Sequence, residues 1–258
     1  LSRGAQVQAM IFLALYPMGF FLSAGYAESL FLLLTIGSAY AARTRRWAWA
    51  IGLAMLATVT RITGVLMVGV IALEWAATHG FALKNIAQRS AWTALARGWR
   101  ADGWVVLALL GVPLALLSFM VYMGINFGSM TAFIDAHNSV RGVSSLARPI
   151  QDFINVFSLQ EPRFDIITGA GAFLMALVMM PLIFRLRGAY GWYFALSAVI
   201  PLSTGFISYM RLIGGVFPIY LVLGQIKPTP LTFALLNGAM VLIQIFALMG
   251  FFGGGFVA

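Results

Sequence analysis

Apolar residues fill nine stretches of the chain, at about 6–22, 27–42, 47–60, 62–78, 104–124, 166–184, 189–205, 212–226 and 231–250, with short polar or basic segments between them. None carries the sustained period-two alternation of barrel strands. Each therefore predicts a helix, because a segment facing lipid must satisfy its own backbone N–H and C=O groups. The expected fold class is all-α: a polytopic transmembrane helical bundle with about seven to nine spans of roughly 20 residues each, some of them short and broken. Neither an internal repeat nor a low-complexity linker interrupts the pattern, so residues 1–258 read as one membrane domain.

The polar segments orient the bundle. Arg3, the group Arg43, Arg45 and Arg46, the group Lys84, Arg89, Arg97 and Arg100, the pair Arg185 and Arg187, and Lys227 lie between apolar runs. Placing them together on the cytoplasmic side follows the positive-inside rule. The other face then carries Arg141, Arg148, Arg163 and Arg211 with Glu28, Asp135, Asp152, Glu161 and Asp165. Residues 43–46 and 84–100 fall on one side, so the chain between them must cross an even number of times. That stretch holds about 32 apolar residues, whereas two full spans need about 40. Two short legs meeting near Arg61 are expected, buried within protein at membrane depth. Residues 79–103 mix Lys and Arg with Trp, Leu and Phe, and read as a cytoplasmic interfacial segment. Residues 125–165 read as an extracytoplasmic loop, of a length that often carries function.

Composition sharpens this picture. Of the 258 residues, 62% are hydrophobic and 9% charged, against roughly 25% charged in soluble domains. Most of the surface must therefore face lipid. The formal net charge of +9 would suggest nucleic acid in a soluble protein. Here the basic residues flank apolar runs, as loops beside anionic lipid do, and no nucleic-acid partner is expected. Cysteine is absent, which excludes disulfides and thiolate metal sites. The chain begins Leu1-Ser2-Arg3 without a signal-peptide layout, and Leu1 reads as an internal start with a portion of the protein upstream.

Few residues can carry chemistry in so apolar a chain. Glu28 follows Pro17 and Gly25, both of which interrupt the helical pattern, and opens the next helix. It is either a member of a site, as intramembrane carboxylates tend to be, or a first-turn residue complementing the helix dipole. Arg61, at the meeting of the two short legs, either grips a phosphate or forms an internal ion pair, with Glu28 as one partner for it. Arg211 either snorkels to lipid headgroups or meets a donor phosphate. In the 125–165 loop, Asp135, His137, Asn138 and Arg141 offer acid–base groups or a solvated loop face. With two histidines, a multi-histidine metal site is not available. No phosphate loop, dinucleotide fingerprint, nucleophile elbow or HExxH motif is present.

The segment YPMGFFLSAGYAESLFLLL (16–34), followed by TRITG (60–64), resembles the mannosyltransferase family that adds the second mannose in glycosylphosphatidylinositol assembly, together with its bacterial relatives. That family belongs to the GT-C superfamily of membrane glycosyltransferases. NFGSMTAF (126–133), PLSTG (201–205), Met210-Arg211, Phe217-Pro218 and the closing Phe256-Val257-Ala258 are similar to later family segments, in the same order. The resemblance implies a GT-C-like bundle in a bacterial plasma membrane with an extracytoplasmic active face. It also implies a polyprenyl-phosphate-linked sugar donor and a glycan or glycolipid acceptor. Transfer would be inverting, with a carboxylate as general base and no covalent intermediate. Tyr26, Glu28, Ser29, Arg61 and Arg211 match retained motifs and are the implied donor-binding or supporting residues; Asp135, His137 and Arg141 are weaker loop candidates. A divalent metal remains open, and no cofactor is implied. The family's acidic Arg-Trp-Asp motif has no counterpart here. Its general base is expected upstream of Leu1, and the 258-residue chain alone is expected to be inactive.

Two other readings stay open. A transporter or flippase for a lipid-linked or small solute would also use broken helices with a charge at mid-depth, although the break near Arg61 has no evident counterpart in the second half. A non-catalytic scaffold subunit fits the composition equally well.

Overall fold

The computed structural model describes residues 2–81, 85–141, 147–158 and 164–253, excluding the side chains of 137–141 and 156–158. Among these residues all regular structure is helical. The chain divides into two compact units, one formed by Leu1–Ser29, His137–Leu186 and Phe194–Ala258, the other by Leu30–Ala136 and Arg187–Tyr193.

In the first unit, α1 (Arg3–Ala14) starts behind Ser2, whose hydroxyl accepts from the Ala5 N–H. The apolar run 6–22 is not one helix. α1 stops ahead of Pro17, and a short 3₁₀ turn, Gly19–Leu22, follows. Proline cannot donate to a helical ladder, which accounts for the stop. Gly25 then adopts φ +77°, a conformation that side chains resist, and this turn delivers Glu28 as the first residue of α2 (Glu28–Arg43).

The rest of α2 belongs to the second unit, with α3 (Trp47–Thr60), α4 (Met67–Thr78), α5 (Arg89–Asp102), α6 (Trp104–Ala108), α7 (Gly111–Phe127) and the start of α8 (Ala132–Arg141). Ala50, Ala54 and Ala57 are fully buried along one stripe of α3. Small residues at this spacing let helix backbones approach closely, which is how helices pack where lipid removes the hydrophobic drive. The Ser38 hydroxyl adds a cross-helix bond from α2 to the Ala50 carbonyl at 2.8 Å. The two short legs expected around Arg61 are α3 and α4. Arg61 between them is extended, at φ −149° and ψ 134°, and the 3₁₀ turn Ile62–Leu66 leads into α4. Gly64 allows this turn to fold back on α3, because a Cβ there would overlap the Ala57 carbonyl.

The first unit resumes with α9 (Arg148–Ser158), α10 (Phe164–Leu186), the second part of α11 (Gly188–Leu202), α12 (Tyr209–Gly214), α13 (Pro218–Leu223) and α14 (Pro230–Phe252). α10 packs on α12 and α13, α1 on α13, and α14 on the 3₁₀ turn at Gly19–Leu22. A second run is also corrected. The run 212–226 is broken into α12 and α13, because Gly214 and Gly215 end one helix and Pro218 begins the next. The 125–165 stretch contains two helices, α8 and α9. Asp152 on α9 is buried while Ile150 and Ile154 are exposed, so this helix turns its acid inward and these two isoleucines outward.

Among the described residues, three helices are long and apolar enough to cross a membrane: Trp104–Phe127 (α6 and α7 together), Phe164–Leu186 and Pro230–Phe252. Trp47–Thr60 and Ile62–Thr78 are apolar but shorter. The long helices keep their large side chains outside: Leu114, Val178, Leu235 and Phe246 are all more than half exposed. Apolar surface on this scale suits lipid contact.

Candidate functional site

The candidate site lies in the first unit, where the turn before α2 meets α12. Arg211 Nε donates to Glu28 Oε1 at 2.7 Å. The guanidinium carbon stands 4.3 Å from the centre of the Phe21 ring and 4.3 Å from that of Tyr26, and those two rings meet edge-to-face at 4.9 Å. A weakly hydrated, planar cation is well matched to such aromatic faces. Arg211 is thus fixed on three sides by residues of one short segment. Glu28 is 4% exposed and opens α2, where the helix N-terminus favours a negative charge. Tyr26 and Ser29 are exposed beside it.

The supporting shell comes from tyrosines. The Tyr16 hydroxyl donates to the Met210 carbonyl at 2.7 Å, and that of Tyr220 donates to the Gly214 carbonyl at 2.7 Å. Tyr209 is anchored through its hydroxyl on the Ala198 carbonyl at 3.0 Å. Asp152 accepts the Phe206 N–H at 2.8 Å and so holds the turn that leads into α12. A small cavity is lined by Tyr16, Leu22, Glu28, Arg211, Gly214 and Tyr220 among others. It leaves about 10 Å³ for the centre of a water molecule, room for about one water and not for a sugar.

Tyr26, Glu28 and Arg211 are therefore brought together, with Ser29 alongside. Arg61 belongs to the second unit, with its guanidinium 5.3 Å from the centre of the Phe31 ring. Glu28 pairs with Arg211. Asp135 is exposed on α8. His137 and Arg141 continue that helix, but their side chains lie outside the described residues, as do Lys84, Glu161 and Arg163 entirely.

A second buried ionic group, in the second unit, was not singled out from the sequence. Glu74 on α4 is 1% exposed, and Arg187 holds its carboxylate through both Nε and Nη2. Arg43 hydrogen-bonds the side chain of Tyr190 close by. The signal was available: Glu74 is a lone carboxylate inside the apolar run 62–78, and such residues are paired or functional. Nearby, Asp102 accepts from the Trp75 indole N–H at 3.0 Å and lies 3.1 Å from His79 Nε2. Among the described residues, no three His, Asp or Glu side chains converge as metal ligands would.

No protein-family model, no curated protein and no solved structure matches this chain.

Proposed function

We propose that the chain belongs to a membrane glycosyltransferase of the GT-C type that transfers a sugar, mannose by resemblance, from a polyprenyl-phosphate-linked donor to an acceptor hydroxyl on the extracytoplasmic face. The observation that carries this reading is the Arg211–Glu28 pair between Phe21 and Tyr26. It joins FFLSAGYAESLF (20–31), which with TRITG (60–64) carries the resemblance, to Met210-Arg211, one of the later segments similar to the family.

The chemistry follows from the donor. Its lipid tail stays in the bilayer while its phosphate leaves with the polyprenyl chain, and a preorganised guanidinium lowers the cost of that developing charge. The contact with Glu28 runs through Nε, so the terminal nitrogens of Arg211 are the atoms for a phosphate oxygen. The donor would approach from the side of exposed Tyr26 and Ser29, because the inner cavity holds about one water. Glu28 is assigned to holding Arg211 and not to taking the acceptor proton.

Binding of a radiolabelled polyprenyl-phosphate sugar to the chain in proteoliposomes tests this reading. Saturable binding that competes with unlabelled polyprenyl phosphate and falls about tenfold or more in Arg211→Gln is expected, as for loss of a charge-assisted contact. Absence of saturable binding, or binding indifferent to Arg211→Gln, overturns it. Movement of the labelled lipid between leaflets without loss of its sugar would favour a flippase instead.

A further inference from the structure

We propose that α5 is a docking surface for an anionic bilayer surface, with Trp92 and Trp99 set among the lipid and Arg89, Arg97 and Arg100 on the headgroup phosphates. The helix is sharply two-sided. Ala91, Ala94 and Gly98 are its buried residues, and they set the inward direction. At 100° per residue, the outward half divides into two edges. Trp92 and Trp99, seven residues apart, form one edge and are 56% and 51% exposed. Arg89, Arg97 and Arg100 form the other and are all exposed.

Charge complementarity selects the partner. The helix contains one acid, Asp102, and its carboxylate is turned away from the outward face, tied to the Trp75 indole and to His79. The outward face therefore carries three guanidinium groups and no carboxylate of its own helix. The tryptophan edge excludes a purely electrostatic partner, because two large rings in water serve neither an acidic peptide loop nor a phosphate in solution. Trp rings beside Arg side chains match the level of a bilayer where headgroups meet acyl chains. Trp92 is also prepared for this position: its indole N–H already donates to the Ile86 carbonyl at 2.9 Å, so burying the ring strands no donor. Ile86, Trp104 and Leu107, just outside α5 in the chain, are each about half exposed, and Trp104 begins a span-length apolar helix.

The helix also sits close against the end of α4, where a Cβ on Gly98 would run into the His79 ring. Each arginine near an anionic surface strengthens association about fivefold, and three give on the order of a hundredfold.

The test uses the full chain in nanodiscs. Because the sequence has no cysteine, Ala96→Cys places one spin label on the outward face between the two edges. Collision with oxygen and with a water-soluble nickel chelate then reports its depth. In discs containing phosphatidylglycerol, we expect the oxygen-to-nickel collision ratio to rise several-fold over discs of phosphatidylcholine alone. Replacing Arg89, Arg97 and Arg100 together by Gln is expected to abolish that difference while the thermal transition is retained. Equal water access in both lipids would overturn the proposal and leave the face for a soluble acidic partner. Equal lipid immersion in both would overturn the anionic component, and shielding from both reagents would show that protein covers the face.

Discussion

Glu28 and Arg211, 183 positions apart, meet through a 2.7 Å hydrogen bond between Oε1 and Nε. Both side chains are almost removed from solvent, at 5% and 14% exposure. A pair in this setting offsets two desolvation penalties that neither residue could carry alone.

Removing one member should therefore cost more than removing both. Glu28→Ala is expected to destabilise the protein by about 3 kcal/mol by leaving the guanidinium uncompensated. The double variant Glu28→Ala/Arg211→Met should recover part of that loss. Denaturation in mixed micelles of the two single variants and the double variant measures the coupling, and strictly additive losses would contradict the pairing.

The Glu74–Arg187 pair makes a parallel case in the second unit. Glu74→Ala should cost about 1–3 kcal/mol, since Arg187, about a third exposed, loses its carboxylate partner. Asp135→Asn, at an exposed position on α8, should stay within about 0.5 kcal/mol of the parent. Comparing their thermal transitions separates a buried carboxylate from a surface one, and equal effects would refute the distinction.

Tyr16 ties the α1 side of the site to α12. Tyr16→Phe removes the donor to the Met210 carbonyl and keeps the ring, so a loss of about 1 kcal/mol is expected. It should also weaken donor binding modestly, through the position of the neighbouring Arg211, while Arg211→Gln weakens it strongly. A titration of labelled polyprenyl phosphate against each variant checks the order.

Glycine positions give a steric test. A Cβ on Gly214 would press into the Tyr16 ring, whereas one on Gly171 in α10 meets nothing within 4 Å. Gly214→Ala should cost about 1–3 kcal/mol. Gly171→Ala should be neutral or stabilising by up to about 1 kcal/mol. Thermal shift of the two variants decides, and equal destabilisation would count against the close contact at Gly214.

Helix existence was legible in the chain because it is local. The run 47–60 became α3 with the same bounds, and 166–184 and 231–250 became the long helices Phe164–Leu186 and Pro230–Phe252. Apolar length alone sets those elements, and the break at Arg61 followed from a span too short to cross twice. Breaks made by single residues were less legible. Pro17 was read correctly, but Gly214, Gly215 and Pro218 sit inside a run apolar enough to pass as one helix. α8 and α9 were hidden because helices of ten or eleven residues that mix polar and apolar positions give no long periodic signal.

The sequence by itself determined that the chain is helical, apolar enough for lipid and basic between its apolar runs. It also marked Glu28, Arg61 and Arg211 as charges in costly places. Only the tertiary structure decided who meets whom: that Glu28 takes Arg211, that Phe21 and Tyr26 enclose the guanidinium, and that Glu74 waits for Arg187. Composition and periodicity report the energy of one segment against its solvent. The choice of partner for a buried charge depends on which backbones can approach, and that is fixed by glycines, alanines and turns scattered along the whole chain.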